Sequence, residues 1–118
     1  MQRNTTLFDI FLYVLEQQAN EAIKERIRKL RILMEMPECL EFLNICLINT
    51  LGYSSPIKES HVDKGIDCLI LLYENDIEGW QNAAPVRKKE EIFKMKIFME
   101  QYRTAVKEEL AKRGLLQS

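Results

Sequence analysis

Apolar residues recur at three- and four-residue steps along four stretches of the chain, and almost nowhere do apolar and polar residues alternate. The first spacing is typical of helices that bury one face, whereas alternation is typical of half-buried strands. The pattern therefore predicts an all-α fold, either a four-helix bundle or an irregular orthogonal bundle of four to five helices. At 118 residues, we expect a single helical domain over residues 1–118.

The first predicted helix begins at Asn4, Thr5 or Thr6, any of which can cap free main-chain N–H groups, and runs toward Glu35. No Gly or Pro interrupts it, although the pattern leaves open a break between residues 18 and 20. Its predicted buried stripe consists of Phe8, Leu12, Leu15, Ala19, Ala22 or Ile23, Ile27, Leu30 and Met34.

The second predicted helix begins at Pro37, which suits a first helical turn, and ends at Gly52, a favourable C-terminal cap. Few of its residues are polar, so we expect it to be largely buried. Residues 53–60 follow as the clearest loop, with Tyr53 beside the sequence Ser54-Ser55-Pro56.

The third predicted helix starts near Ser60 and frays around residues 75–79. Its predicted apolar residues are Val62, Ile66, Leu69, Ile70, Leu72 and Tyr73. The fourth is opened by Pro85 and ended by Gly114. Its predicted stripe is Ile92, Met95, Met99, Tyr102, Val106 and Leu110, widened by Phe93 and Phe98.

The three cysteines, Cys39, Cys46 and Cys68, lie in apolar runs, and no two are spaced for zinc or redox chemistry. We expect them to be buried thiols in a reducing compartment. No export signal is recognised, since Asp9 interrupts the first apolar stretch, and no apolar run is long enough for a membrane span. The sequence thus predicts a cytoplasmic protein that does not contact membranes.

The net charge of −1 conceals a strong segregation of charge along the chain. Residues 1–34 carry six basic and four acidic groups, residues 35–84 two basic and nine acidic, and residues 85–118 nine basic and five acidic. One interpretation is that basic first and fourth helices flank acidic central helices, so that the charges cancel across neighbouring surfaces. The other is an acidic patch that attracts a basic partner protein.

Under the second interpretation, the predicted partner-binding residues lie on and just after the third helix: Asp63, Asp67, Glu74, Asp76, Glu78 and Trp80. Trp80 stands in a polar stretch outside the helical stripes. It is therefore either a lid over the core or an aromatic anchor for a partner.

Basic residues on the first helix and at the start of the fourth define an alternative, nucleic-acid-binding surface: Lys24, Arg28, Arg31, Arg87 and Lys88. The first three share one helical face. Two observations argue against this function: Glu25 can pair with Lys29 across one turn, and a pI near 5.9 is low for a phosphate-binding protein.

The sequence offers little for catalysis. His61 is the single histidine, and Asp63 lies only two residues away, which directs the two side chains to different faces of a helix. Asp63 and Asp67 share a face, but the Glu-x-x-His sequences of di-iron bundles are absent, so Ser60 or Asp63 is better explained as a helix cap. We therefore predict a non-enzyme with no catalytic residues, no cofactor and no metal.

These observations favour a non-catalytic protein-binding module that occludes a partner through its acidic surface, as immunity proteins, antitoxins, anti-activators and chaperones do. The alternative is a small nucleic-acid-associated regulator that uses the basic faces of the first and fourth helices. A homodimer formed through the apolar stripe of either helix is a third hypothesis.

Overall fold

The computed structural model describes residues 4–49 and 57–117, which form helices and one short two-stranded sheet. In chain order the elements are β1 (Asn4–Thr6), α1 (Leu7–Gln17), a 3₁₀ turn (Glu21–Ile23), α2 (Lys24–Met34), α3 (Pro37–Ile45), β2 (Leu47–Asn49), α4 (Glu59–Glu78) and α5 (Pro85–Lys112). The prediction of an all-α, irregular helical bundle is confirmed. Within the described ranges, no helix combines the length and hydropathy that a membrane span requires.

The first predicted helix consists of two helices, α1 and α2. The break between them includes residues 18–20, where the sequence pattern allowed one. Thr6 caps α1: its hydroxyl accepts the Asp9 main-chain N–H, and the Asp9 carboxylate accepts the Thr6 main-chain N–H. Asn20 then starts a new turn, because its side-chain oxygen accepts the N–H of Ala22 at 2.9 Å. The local cap thus competes successfully with a continuous helix.

The break also changes the buried face of α1. The predicted residues Phe8 and Leu12 are only half-buried, and the buried side chains of α1 are Leu7, Ile10, Phe11, Val14 and Leu15. Because α1 need not share one stripe with α2, it turns a different face to the core. In α2 the prediction is confirmed, since Ile27, Leu30 and Met34 are buried.

The prediction that the second helix runs to Gly52 is wrong. Helix α3 ends at Ile45, and Leu47–Asn49 pair antiparallel with Asn4–Thr6, with Thr5 opposite Ile48. The Leu7 N–H also donates to the Cys46 carbonyl oxygen at 2.9 Å. This pairing satisfies main-chain groups that would otherwise continue the helix.

The prediction that this helix is largely buried is also wrong. Only Cys39 and Leu43 of α3 are buried, and the Ile45 side chain is 76% exposed. Gly52, Tyr53 and the Ser54-Ser55-Pro56 loop lie outside the described residues.

Helices α4 and α5 are confirmed within one or two residues of their predicted ends, and Gly114 follows α5 in the left-handed conformation with φ of 71°. Helix α5 packs along both α4 and α1. The predicted residues Met95, Met99, Tyr102, Val106 and Leu110 are buried, as is Phe98, and Ile92 is half-buried. Phe93 is an exception: it lies on the outer face of α5 and is 65% exposed.

Candidate functional site

The acidic side chains of α4 lie against basic side chains of the two neighbouring helices. Asp76 is 3.0 Å from the Lys29 amino group on α2, and Glu74 is 3.0 Å from the Lys96 amino group on α5. Glu59 pairs with Lys107 on α5 at 3.7 Å. The charge segregation along the sequence is therefore largely cancelled between adjacent helices, as the first interpretation of the charge pattern predicts.

Arg103 on α5 is the centre of the largest group of ion pairs. Its guanidinium contacts the carboxylates of Asp63, Asp67 and Glu100, and Asp63 also accepts from Lys107 at 3.1 Å. The hydrogen bond from Arg103, together with the nearby Lys107, holds the pKa of Asp63 below its usual value. Asp63 is thus an ion-pair partner and not the helix cap that the sequence suggested.

Among the six predicted partner-binding residues, Asp63, Asp67, Glu74 and Asp76 are held in these ion pairs. Glu78 is exposed and has no cation partner within the described residues. A basic partner would have to compete with intramolecular cations for four of the five carboxylates proposed for it. Glu78 and Trp80 are therefore the two predicted residues whose side chains have no polar partner among the described residues.

Trp80 lies in a cleft between the start of α2, the end of α4 and the first turns of α5. This Trp80 cleft has a volume of about 460 Å³ and is lined by Glu21, Ala22, Ile23, Lys24, Glu25, Arg26, Arg28, Lys29, Tyr73, Trp80 and Glu91. The indole is half-buried and packs on the core, so Trp80 partly covers the core and also lines the cleft. Its N–H has no hydrogen-bond partner among the described residues and is not one of their buried unpartnered atoms, so it is accessible from the cleft.

The floor of the cleft is fixed by a polar network that sequence reasoning missed. Glu91 on α5 accepts a hydrogen bond from the Tyr73 hydroxyl at 2.8 Å and three from the Arg26 guanidinium. Nε of Arg26 donates to Oε1 at 3.4 Å, and Nη2 donates to Oε1 at 3.2 Å and to Oε2 at 3.4 Å. Burial, and then the adjacent Glu91 carboxylate, raise the pKa of Tyr73 well above its usual value. The network joins α2, α4 and α5 through side chains that line the cleft.

No sequence pattern indicated that Arg26, Tyr73 and Glu91 form a network. Tyr73 fell in the apolar stripe of the third helix, and Arg26 stood among five basic residues of the first. Their pairing across 65 residues is set by the tertiary fold. The one available signal was a carboxylate, Glu91, one position from the apolar stripe of the fourth helix.

The structure brings Trp80 together with two residues of the alternative, nucleic-acid-binding set. Lys24 and Arg28 line the Trp80 cleft, and with Glu21 they also line a second hollow of about 500 Å³ that includes Arg31. Arg28 pairs with Glu25 at 2.9 Å and Arg31 with Glu16 at 3.5 Å. The expected Glu25–Lys29 pair is replaced by these contacts, because Lys29 is held by Asp76.

The remaining basic residues of that set lie elsewhere. Arg87 is exposed at the start of α5, and the Lys88 amino group lies 3.5 Å from the Glu78 carbonyl oxygen. Arg87 and Lys88 line neither of these two hollows, in contrast to Lys24, Arg28 and Arg31.

His61 lies outside the Trp80 cleft and has a local role. Its Nδ1 accepts the main-chain N–H of Lys58 at 3.0 Å, which caps the start of α4. Among the described residues, no group of three His, Cys, Asp or Glu side chains is arranged to hold a metal ion.

The cysteines follow the prediction in part. Cys39 and Cys46 are buried free thiols, whereas Cys68 is half-buried and donates to the Glu38 carbonyl oxygen at 3.5 Å. Burial raises the pKa of Cys39 to about 12, with a further contribution from the neighbouring Cys68. At neutral pH this thiol is therefore protonated and a poor nucleophile.

The Trp80 cleft is thus the candidate functional site. The cleft offers a half-buried aromatic ring, an unused N–H donor and side chains of both charges, fixed by the network around Glu91. Comparisons of the chain with protein-family models, with curated proteins and with solved structures found no match.

Proposed function

We propose that this protein is a non-catalytic protein-binding module whose Trp80 cleft receives a segment of a partner protein. The observation that carries the proposal is the half-buried Trp80 indole with an unused N–H donor in an open cleft. Tryptophan is strongly enriched among residues that dominate binding energy at protein interfaces. The N–H is suited to donate to a main-chain carbonyl oxygen of an extended segment.

The charges of the cleft suit a peptide. Lys24 and Glu21 line it without an ion-pair partner among the described residues, so one cationic and one anionic group are available to a ligand. Small-molecule sites are mostly enclosed and apolar, whereas this cleft is open and walled by long charged side chains. A peptide that presents an acidic and a basic side chain on either side of a carbonyl group would use all three features.

In this proposal the protein occludes its partner with the Trp80 cleft and not with the acidic surface predicted from the sequence. Immunity proteins, antitoxins, anti-activators and chaperones cover a functional surface of their partner without chemistry of their own. Here the covering surface is the Trp80 cleft, because four of the predicted acidic contacts are engaged with α2 and α5. The free thiols of Cys39, Cys46 and Cys68 favour a reducing, cytoplasmic location.

The test begins with capture of partners from a lysate of the source cell on the immobilised chain, with and without nuclease. A protein that is retained in stoichiometric amount after nuclease treatment is then purified and titrated against the chain by isothermal titration calorimetry, which serves for every variant. Trp80 is the single tryptophan, so its emission reports occupation of the cleft directly. We expect the emission to shift on binding.

Two variants and one control locate the interface. Trp80→Phe keeps an aromatic ring but removes the N–H, and Lys24→Glu reverses one cleft charge; we expect each to weaken binding about tenfold, equivalent to about 1.4 kcal/mol. Lys112→Glu makes the same charge change at the far end of α5 and should leave binding unchanged. Equal affinity of all four proteins would contradict the proposal, and a partner lost on nuclease treatment would support the nucleic-acid alternative instead.

A further inference from the structure

Helix α5 is apolar on two opposite faces. One face is buried in the core through Met95, Met99 and Tyr102. The other presents Val86, Phe93 and Ile97, which are 67%, 65% and 48% exposed. Steps of seven and four residues place these three side chains in one row along the helix, which we call the outer stripe.

The outer stripe is not explained by the fold. Within the described ranges, α4 and α1 pack on α5 from the core side, and no element covers the row that contains Phe93. Single exposed apolar residues are common, but an aligned row of large ones on a helix marks a contact surface. The stripe is also distinct from the Trp80 cleft, which Val86, Phe93 and Ile97 do not line.

We propose that the outer stripe binds a second copy of this chain, with the two α5 helices antiparallel about a two-fold axis near residue 95. In such a pair, residues whose numbers sum to 190 lie opposite each other. Phe93 then packs beside Ile97 of the second copy, and Val86 packs beside Thr104 of the second copy. The outer stripe with Thr104 is therefore complementary to itself, as a two-fold interface requires.

The charges beside the stripe have the same symmetry. Lys89 and Glu100 lie on one flank of the stripe, at nearly equal distances before and after residue 95. An antiparallel two-fold pair brings the Lys89 of each copy against the Glu100 of the other. Glu100 contacts Arg103 of its own chain at 3.3 Å, but its side chain is 67% exposed and can accept from Lys89 as well. Lys96 lies on the same flank near the axis, and its charge is compensated by Glu74 at 3.0 Å. The two Lys89–Glu100 contacts thus favour an antiparallel second copy as the occupant.

The contact has a limited size. The row from Val86 to Thr104 is about 27 Å long at 1.5 Å per residue. One pair of helices of this length lies at the low end of stable interfaces. The dimer is therefore expected to be in exchange with monomer, with a dissociation constant of roughly micromolar order.

The test is sedimentation velocity of the full chain from about 0.1 µM to about 1 mM, a range that brackets this affinity. We expect a reversible shift from monomer to dimer. Phe93→Gln and Ile97→Gln, each made separately, should raise the dissociation constant at least tenfold. Leu71→Gln is the matched control, because Leu71 is 59% exposed on the outer side of α4 and should not affect dimerisation. Circular dichroism verifies that each variant retains its helices.

The orientation is tested by charge reversal. Lys89→Glu and Glu100→Lys should each weaken the dimer, and the double variant should restore it, because every chain contributes both residues. In a parallel pair the two residues would lie about 16 Å apart along the axis, and the double variant would restore nothing. A monomer at every concentration, or a dimer that is indifferent to Phe93 and Ile97, would overturn the proposal.

Discussion

The Tyr102 hydroxyl on α5 donates a hydrogen bond to the main-chain oxygen of Phe11 on α1, and the rings of the two residues meet edge to face with centroids 5.6 Å apart. The Tyr102 side chain is fully buried, so its hydroxyl requires a partner inside the protein. Tyr102 thereby holds α5 against α1, although Tyr102 and Phe11 are 91 positions apart in the sequence.

Removal of this hydroxyl in Tyr102→Phe should lower the free energy of unfolding by about 1 kcal/mol, the usual net contribution of a buried hydrogen bond. The edge-to-face ring contact with Phe11 is kept, so the loss reports the hydrogen bond. Urea unfolding at neutral pH measures it. Tyr13→Phe is the control, because Tyr13 is exposed and its hydroxyl has no described hydrogen-bond partner; an equal loss in both variants would show that the Phe11 contact contributes nothing specific.

Gly65 permits the close approach of α4 to α1 and α3. A Cβ atom at this position would lie 2.9 Å from Cζ of Phe11 and 3.0 Å from Cδ2 of Leu43, both buried side chains. Gly65→Ala should therefore destabilise the fold, because overpacking typically costs about 1–3 kcal/mol and outweighs the gain in helix propensity of up to about 1 kcal/mol. We expect a net loss of about 1 kcal/mol, measured by urea unfolding.

Gly79 provides the matched control. It ends α4 with φ of −78°, and a Cβ there would make ordinary contacts with the main-chain oxygens of Asp76 at 3.4 Å and Asn75 at 3.9 Å. Gly79→Ala should thus be neutral or stabilise by about 0.5 kcal/mol, through the lower entropy of the unfolded chain. If both alanine variants were stabilising, the Phe11–Gly65 approach would not be tight in solution.

Much of the fold could be predicted from local sequence. Pro85 and Gly114 delimit α5, and Thr6 with Asp9 starts α1, because caps act within one turn of the chain. The strands could not be predicted, since β1 and β2 are three residues each and pair across more than 40 positions. That pairing also ends α3 at Ile45, so the predicted extension to Gly52 failed for a non-local reason.

Individual residues of the candidate site were predicted from the sequence, but their arrangement was not. Trp80 and Lys24 were both singled out, but in competing hypotheses, and no local pattern indicates that they line one cleft. Their proximity depends on the break at residues 18–20, which sets the direction of α2. Periodicity correctly assigned the Tyr73 side chain to the core, where it is buried. It could not indicate that the hydroxyl donates to Glu91, because the Arg26–Glu91–Tyr73 network depends on the same tertiary packing.

Stability should decline as pH rises above about 9. Burial raises the pKa of Cys39 to about 12, and burial also raises the pKa of Tyr102 and of Tyr73 above 10.0. When the pKa of a group is higher in the folded than in the unfolded protein, the folded state favours the protonated form of that group. The corresponding stability is complete below the unfolded pKa, near 9.0 for the thiol and 10.0 for the phenols, and is lost as pH climbs toward the folded values.

Urea unfolding between about pH 8 and about pH 11 tests this dependence, with the wild type compared to Cys39→Ala. The variant leaves a small cavity that lowers its stability at every pH, so the quantity to compare is the slope against pH. We expect a shallower slope in Cys39→Ala than in the wild type between about pH 9 and about pH 11. Identical slopes would mean that the thiol ionises without penalty in the fold.

The ion pairs around Arg103 make an opposite prediction at acidic pH. The hydrogen bond from Arg103 lowers the pKa of Asp63, so the fold favours the charged carboxylate. That stability is present above the unfolded pKa, near 3.8, and is lost as pH falls through the lower folded value. Asp63→Asn should therefore be less stable than the wild type at neutral pH, by at most about 1 kcal/mol because the Asp63 side chain is 39% exposed and partly screened.

The difference between Asp63→Asn and the wild type should shrink when the pH is lowered below about 3.8 and when salt is added, since both changes remove the attraction to Arg103 and Lys107. Thermal unfolding across pH and salt measures it. Glu108→Gln removes one carboxylate from an exposed position of α5 with no described cation partner, and it should show neither dependence. A deficit in Asp63→Asn that persists at low pH would instead indicate that the variant loses packing or hydrogen bonds, because protonation would already have removed the ion pair from the wild type.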